Sequence, residues 1–348
     1  MSHPTGITAN AFASSARQRL QDYLARKGLP AAQVVALTPD ASTREYFRIP
    51  WHKATAVAAV YPEPFDPDIH PYLDVTRLFV AARLPVPEVF DVDGQQGIIV
   101  QEDLGDRQLR RIFESATEDE RDTYIEQAIA LIADIQAATA LAYERDSIAS
   151  RLAFDEAKLS WELDFFFEHY FKRLRGETLK HGEEAQLRAE LRDVASELAA
   201  RPRVLCHRDY HAANLIVDKD DKLRIIDHQD ARMGPASYDL VSLLLDRVTE
   251  SPSLAEVRVR RLHFLADREQ RGLSALDPDE FAREFRLMTV QRCLKACGTF
   301  ACQTAVFGRG EVYAQYIEPI LLIVLQAAQW LNRFPALQAA ISTRVLGK

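Results

Sequence analysis

A short polar segment of this 348-residue chain contains residue types that can carry out phosphoryl transfer. Residues 207–214 read HRDYHAAN, so Asp209 and Asn214 lie five positions apart, and Asp227 follows after two short apolar runs. One carboxylate can orient and deprotonate an attacking hydroxyl group, while an amide oxygen and a second carboxylate can hold Mg²⁺ on the phosphates of ATP. This spacing therefore predicts a site for transfer of a phosphoryl group.

The elements around this segment explain how it would be positioned. Val204–Cys206 is predicted to be a short strand that leads into the polar loop. Leu215–Val217 and Leu223–Ile226 alternate in polarity around the turn Asp218–Asp221, which is typical of a β-hairpin. Each strand then delivers a polar group to the same end of the sheet. The order His-Arg-Asp-x-x-x-x-Asn, with an Asp after a hairpin, matches the kinase catalytic loop.

The rest of the chain divides into two regions of different character. Before residue 105, short β-like runs alternate with prolines, and helices are predicted at Ala11–Lys27 and Tyr72–Arg83. The predicted strands of this region are Tyr46–Ile49, Ala56–Tyr61, Glu88–Asp91 and Gly97–Gln101. After Gly105, long helical patterns dominate. We predict an α+β fold with a small β-rich lobe (1–104), a larger helical lobe (105–348) and an active site between them.

Longer motifs resemble the aminoglycoside phosphotransferase and choline kinase superfamily, whose two-lobed fold is similar to that of protein kinases. The matching stretches are HRDYHAAN, for the catalytic loop, and IIDHQDARMGPASYDLVSLL, for the metal-binding segment and the following helix. Within the superfamily, ASTREYFRI, VQEDLGD and QRCLKACGTF resemble a bacterial subgroup that phosphorylates N-acetylmuramate and N-acetylglucosamine at O1 in cell-wall recycling. The resemblance covers essentially the whole chain and implies ATP as cosubstrate and Mg²⁺ as cofactor.

The resemblance assigns roles to individual residues. It implies that Asp209 is the catalytic base and that Asn214 and Asp227 bind Mg²⁺. His207 is expected to brace the loop through hydrogen bonds. Asp239, at the start of the following helix, is expected to be buried and tied to the catalytic loop rather than to act as a ligand.

The nucleotide side departs from the protein-kinase pattern. Ser42, Thr43 and Arg44 occupy the turn expected to cover the phosphates, but the turn contains no glycine. Protein kinases place a lysine on the third strand against the phosphates, whereas Ala56–Tyr61 reads AVAAVY. Lys53 is expected to be solvated, and Arg44 is the cation best placed to act instead.

Two further groups of residues complete the predicted site. Backbone atoms between Glu102 and Leu104 are expected to bind the adenine edge, as in similar hinges. The acceptor is expected to contact the following side chains: Asp209, Asp230, Glu162, Asp164 and Arg292. Trp161, Lys295 and Arg232 are additional candidates, because sugars favour aromatic faces and charged groups nearby.

Composition excludes several other classes of protein. The chain carries 43 Lys and Arg against 51 Asp and Glu, a net charge of −8 without a basic run, so nucleic acid is not an expected partner. No signal-peptide core is found near the N-terminus, and the longest apolar run, Ile320–Leu325, is far shorter than the ~20 residues of a membrane span. The four cysteines show no disulfide spacing. We expect a cytoplasmic protein with no membrane partner.

Three alternatives remain open from the sequence. The His and Asp residues between 207 and 230 could form a metallohydrolase centre. The missing lysine is compatible with a nucleotide-binding pseudokinase that acts as a partner module. A kinase of another acceptor, such as an aminoglycoside, choline, homoserine or a different sugar, would share the catalytic motif.

Overall fold

The computed structural model describes residues 15–37, 44–249 and 251–345 and confirms the predicted α+β arrangement. The N-terminal part contains a five-stranded antiparallel sheet with the order β1-β2-β3-β5-β4, flanked by two helices. Its strands are β1 (Val35–Leu37), β2 (Glu45–Trp51), β3 (Ala54–Val60), β4 (Val89–Asp93) and β5 (Ile98–Glu102). Its helices are α1 (Ala16–Arg26) and α2 (Pro71–Ala81).

Alternating side chains give this sheet a buried face. In β2, Phe47 and Ile49 are buried, while their neighbours in the strand are more exposed. These side chains pack against Leu20, Tyr23 and Leu24 of α1 in one apolar cluster. Because α1 covers this face, the opposite face of the sheet is available to form one wall of a cleft.

The remainder of the chain is mainly helical. Its helices are α3 (Leu109–Phe113), α4 (Glu118–Ala137), α5 (Thr139–Glu144), α6 (Ile148–Arg151), α7 (Glu156–Phe166), α8 (His181–Ala199), α9 (Tyr238–Leu245), α10 (Leu254–Gln270), α11 (Pro278–Ala305), α12 (Gly310–Tyr313), α13 (Ile317–Leu331) and α14 (Pro335–Val345). A π-helical segment, Phe167–Leu174, continues α7. The 28-residue helix α11 packs against α7, α9 and α13, so it forms the centre of this lobe.

Two small antiparallel sheets carry the polar segment. β6 (Arg203–Cys206) pairs with β9 (Arg232–Pro235), and β7 (Leu215–Val217) pairs with β8 (Leu223–Ile225). The predicted hairpin therefore forms within one residue of its expected bounds. β1, β9 and α14 were not predicted from the sequence.

One helical stretch tests the expectation about membranes. Glu118–Glu144 is long and apolar enough to cross a bilayer by length and composition alone. Its α4 part, however, buries Ile129, Ile132 and Ile135 in the main apolar core. Such a stretch is equally typical of a core helix, so it is weak evidence for a membrane span. The four cysteines are free thiols, three of them buried.

Candidate active site

A buried carboxylate holds the start of the predicted catalytic segment, residues 207–214, in place. Asp239, at the N-terminal end of α9, accepts hydrogen bonds from the backbone N–H groups of His207 (2.7 Å) and Arg208 (3.0 Å). Arg208 has a φ of 87°, a strained conformation for a residue with a side chain. Burial raises the pKa of Asp239, although both backbone bonds favour its ionised form. The His207 ring also lies 3.0 Å from the Ile226 carbonyl oxygen, so the loop and the hairpin are joined.

Asn214 and Asp227 present oxygen atoms at the end of the hairpin. The Asn214 amide donates to the backbone carbonyl of Asp209 at 2.9 Å, which leaves its Oδ1 for another partner. Asp227 has a φ of 62°, and its Oδ1 accepts a hydrogen bond from Gln229 at 2.9 Å. An amide and a carboxylate oxygen suit Mg²⁺, which keeps waters and substrate phosphates as its other ligands. The donor set therefore fits the expected metal.

Asp209 lies among cations contributed by distant parts of the chain. Its Oδ1 is 3.1 Å from Lys295 Nζ and 3.7 Å from Arg292 Nη2, both on α11. Arg208 Nη1 is 3.6 Å from its other oxygen. Burial alone would raise the pKa of the Asp209 carboxyl, but the surrounding cations, led by Lys295, hold it well below its usual range. Asp209 is therefore ionised at neutral pH and can accept a hydrogen bond from a hydroxyl group.

Two cavities meet at the predicted metal ligands. A cavity of about 770 Å³ lies between the five-stranded sheet and the hairpin, and a second of about 320 Å³ lies between the catalytic segment, α7 and α11. Asn214 and Asp227 line both, whereas Asp209 lines the smaller one. This arrangement suits transfer of a group from a ligand in the larger cavity to a ligand in the smaller one.

The larger cavity is lined by three of the residues predicted for the nucleotide: Arg44, Glu102 and Leu104. Arg44 Nη2 lies 3.2 Å from Asp227 Oδ1, and only 16% of its side chain is exposed. Arg44 thus reaches the end of the cleft where a metal is predicted, and β3 provides no cation there. Ser42 and Thr43 lie outside the described residues, so their predicted contacts are not tested. Lys53 is exposed in the turn between β2 and β3.

The end of β5 also lines the larger cavity. Glu102 and Leu104 both face it, as expected for a hinge. The Glu102 carboxylate is held by Arg224 Nη2 at 2.6 Å. Its side chain is therefore engaged with β8, and the binding of a nucleotide base by backbone atoms of this segment stays a prediction.

The two carboxylates predicted on α7 have different surroundings. Glu162 is buried, lines the smaller cavity and accepts a hydrogen bond from Gln291 at 2.9 Å. Asp164 is 64% exposed and pairs with Arg188 at 2.7 Å. Residues two positions apart on a helix do not share a face. This placement corrects the expectation that Asp164 contacts the acceptor.

The remaining predicted acceptor residues lie around Asp209. Arg292 is almost fully buried, lines the smaller cavity and pairs with Asp246 at 2.8 Å. Trp161 lies at the rim of that cavity with 55% exposure. Asp230 instead lines the larger cavity, which we predict to bind the nucleotide, and pairs with Arg208 at 2.8 Å.

Asp246 and His211 were not singled out for the acceptor cavity from the sequence, although both line it. Asp246 is the main partner of Arg292. Burial alone would raise the pKa of Asp246, but Arg292 together with the other cationic groups nearby lowers it. Burial lowers the pKa of His211 to about 4, so its ring is neutral. No local pattern marks Asp246, because its partner lies 46 positions away.

The metallohydrolase alternative finds no support. Among residues 15–37, 44–249 and 251–345, no group of three His, Cys, Asp or Glu side chains converges as a metal site. His228 Nε2 lies 2.7 Å from the Thr76 hydroxyl, and its ring stacks on Tyr72. His228 and His207 thus connect the polar segment to α2 and to the hairpin.

Comparisons with known proteins agree with this geometry. Residues 33–276 match the model of the phosphotransferase enzyme family. The N-acetylmuramate/N-acetylglucosamine kinases of Neisseria meningitidis and Pseudomonas putida are similar to this chain. The first is 29% identical over 75% of this chain and 76% of its own length. The second is 30% identical over 78% of this chain and 77% of its own length.

Solved structures show the same fold at low sequence identity. The choline kinase LicA from Streptococcus pneumoniae has a TM-score of 0.59 at 12% identity, covering 92% of this chain and all of the other. The streptomycin–ATP–APH(2")-IIa ternary complex has a TM-score of 0.55 at 14% identity, covering 90% and 99%. The expected two-lobed, kinase-like fold is thereby confirmed. The chain belongs to the phosphotransferase enzyme family and is a phosphotransferase.

Proposed function

We propose that this enzyme transfers the γ-phosphoryl group of Mg²⁺-ATP to the anomeric hydroxyl of N-acetylglucosamine or N-acetylmuramate and releases a sugar 1-phosphate. The main support is the position of Asn214 and Asp227 between two cavities, with Asp209 lining the smaller one. We further propose that residues 1–104 form the nucleotide lobe, that residues 105–348 form the catalytic lobe and that the enzyme acts in the cytoplasm, which supplies ATP.

In the proposed reaction, the ionised Asp209 accepts the proton of the sugar O1 hydroxyl. The bond between O1 and the γ-phosphorus forms while the bond from that phosphorus to the β,γ-bridging oxygen breaks, and ADP leaves. Mg²⁺ held by Asn214 and Asp227 would neutralise phosphate charge. Lys295 and Arg208 hold Asp209 in place from opposite sides, because each contacts a different carboxylate oxygen.

The smaller cavity favours a neutral or anionic acceptor over a cationic one. Its four acidic residues are matched by four cations: Arg208, Arg247, Arg292 and Lys295. Asp246 is engaged by Arg292, so the cavity lacks the acidic excess that an aminoglycoside or choline would need. About 320 Å³ also lies at the lower end of the ~300–1,000 Å³ typical of small-molecule sites, which suits a single sugar ring.

Particular side chains suit the groups of an N-acetylated sugar. Trp161 offers an aromatic face at the rim of the cavity for the sugar ring. Lys295 and Arg292 are placed to receive a lactyl carboxylate or an acetamido oxygen. The names of the relatives at 29–30% identity support the same substrate class.

A substrate screen tests the proposal. ADP release is measured with Mg²⁺-ATP and each of N-acetylglucosamine, N-acetylmuramate, glucose, choline, homoserine and streptomycin. A reducing-sugar assay is run in parallel. We expect turnover with the N-acetylated sugars and loss of one reducing end per ADP. ADP release with an intact reducing end would place the phosphate on another hydroxyl, and turnover only with choline or streptomycin would contradict the proposed acceptor.

A further inference from the structure

The helical lobe has a second groove that takes no part in the proposed reaction. It lies between α10, α11, α13 and the segment after α9, and its enclosed space is about 40 Å³. Its walls are largely apolar: Leu245, Leu254, Val257, Phe285, Ile323, Ala327 and Trp330 line it. Two arginines, Arg261 and Arg286, also line it.

Arg261 is a buried cation with unmet hydrogen-bonding capacity. Only 8% of the residue is exposed, and its Nε and Nη1 atoms are buried without a hydrogen-bond acceptor. Arg260, its neighbour on α10, is similarly buried but pairs with Asp122. The Arg261 Cζ lies 5.4 Å from the centre of the Phe285 ring, but that ring cannot accept ordinary hydrogen bonds from Nε and Nη1. A bound anion would recover part of the free energy that burial of these groups costs.

Arg286 adds a second guanidinium to the same groove. Its Cζ lies 3.4 Å from the centre of the Trp330 ring, and its Nη1 donates to the Ala282 carbonyl at 3.0 Å. Burial, with a smaller contribution from Arg261, lowers the pKa of Arg286 to about 10. The two cations are thus close enough to repel each other. None of the described residues that line the groove is acidic.

We propose that this groove is an accessory site for a small organic carboxylate with an apolar or aromatic body. The guanidinium groups would bind the carboxylate, since charge-assisted hydrogen bonds of this type are short and strong. The volume of about 40 Å³ admits the carboxylate head group alone. The apolar body would lie along the open mouth of the groove against Leu254 and Trp330, which are 54% and 48% exposed.

Three probes of matched chemistry test the proposal: indole-3-acetate, its neutral amide indole-3-acetamide, and inorganic phosphate. Binding to the full-length enzyme is measured by titration calorimetry, and the melting temperature is recorded with and without each probe. We expect indole-3-acetate to bind at least tenfold more tightly than the other two and to raise the melting temperature. Equal binding of the amide or of phosphate would overturn the proposal.

Variants locate the binding. R261Q and R286Q are each expected to weaken indole-3-acetate binding at least tenfold. R283Q is the matched control, because Arg283 lies on α11 like Arg286 but its side chain is 67% exposed. The R283Q variant should bind indole-3-acetate with the same affinity as the wild type. Kinase turnover without the probe should be unchanged in R261Q, which separates this site from the proposed reaction. Retained binding in both R261Q and R286Q would contradict the assignment, and R286Q decides the question if R261Q fails to fold.

Discussion

The two faces of the active-site cleft handle charge in different ways. On the helical face, Asp209 is surrounded by Lys295, Arg208 and Arg292, and Arg292 is itself neutralised by Asp246. On the sheet face, Arg44 contacts Asp227, a residue that we expect to bind metal. The helical face is therefore organised before any ligand binds, whereas on the sheet face we expect Arg44 to exchange Asp227 for phosphate oxygens when a nucleotide binds. Substitutions on the first face should reduce turnover, and those on the second should reduce nucleotide affinity.

The largest effect is expected for Asp209. Asp209→Asn removes the proton acceptor while keeping the shape of the side chain, so kcat should fall by about 10²–10⁴-fold. ATP binding, measured by titration calorimetry, should change little. A kcat close to that of the wild type would show that another group accepts the proton.

Asp227→Ala provides the contrast within the same cleft. Asp227 lines the larger cavity, which we predict to bind the nucleotide, and is a predicted Mg²⁺ ligand. This variant should therefore lose both Mg²⁺-dependent ATP binding and turnover. If Asp227→Ala bound Mg²⁺-ATP normally, the division between the two faces would be wrong.

A smaller effect is expected for Arg44 on the sheet face. Arg44→Ala should raise the KM for ATP about tenfold, equivalent to ~1.4 kcal/mol, because the triphosphate loses a cation at the end of the cleft. The KM for the sugar should change little. Arg44→Lys is the matched control and should recover part of the affinity, since a point charge cannot reproduce the planar guanidinium. An unchanged KM for ATP in Arg44→Ala would show that Arg44 does not replace the missing lysine.

The free energy of unfolding should also depend on pH through one residue of the N-terminal part, His70. His70 packs between Tyr61 and Phe65, and burial, with a smaller effect of Arg44, lowers its pKa to about 4. The pKa of His70 in the folded state thus lies below the unfolded value of ~6.5. The stabilisation that the neutral ring provides is therefore fully present above pH 6.5 and is lost as the pH falls towards 4. Between pH 7.5 and 5.0 the free energy of unfolding should fall by about 2 kcal/mol through this group.

His70→Phe tests this contribution, because a phenyl ring can keep the aromatic packing without titrating. Chemical denaturation at pH 7.5 and 5.0 should give a smaller loss of stability in the variant than in the wild type. Identical losses in the two proteins would assign the pH dependence to other groups.

The sequence predicted those parts of the structure that are determined by residues close to one another along the chain. The loop and the hairpin follow from short-range patterns, because turn residues and alternating side chains act within a few positions. The role of Asp239 came instead from the family resemblance, since its partners lie 31 and 32 positions away. Asp239 does accept the backbone bonds that hold the loop. By contrast, β9 contains Gly234 and Pro235, which disfavour strands, yet it pairs with β6. Tertiary pairing outweighs local preference there.

The charge network around Asp209 could not be predicted in the same way. Lys295 and Asp209 lie 86 positions apart, so only the packing of α11 against the catalytic loop brings them together. The sequence suggested that Arg292 and Lys295 bind the acceptor, but it gave no indication that both also face Asp209. The helical face of the cleft is thus a product of long-range packing.

The smallest effects are expected for two carboxylates on α7, both of which the sequence analysis proposed as acceptor contacts. Glu162 is buried in the smaller cavity, whereas Asp164 is exposed and pairs with Arg188, which is itself partly exposed. Glu162→Gln should raise the KM for the acceptor about threefold, or ~0.6 kcal/mol, because an amide replaces a carboxylate at the cavity wall. Asp164→Asn should leave both KM values unchanged and alter stability by less than ~0.5 kcal/mol, as expected for a surface ion pair. Steady-state kinetics with the acceptor varied at saturating ATP measures both variants. An equal rise in the acceptor KM for the two variants would mean that the helix rotates on substrate binding, and the helical face would then be less organised in advance than its ion pairs indicate.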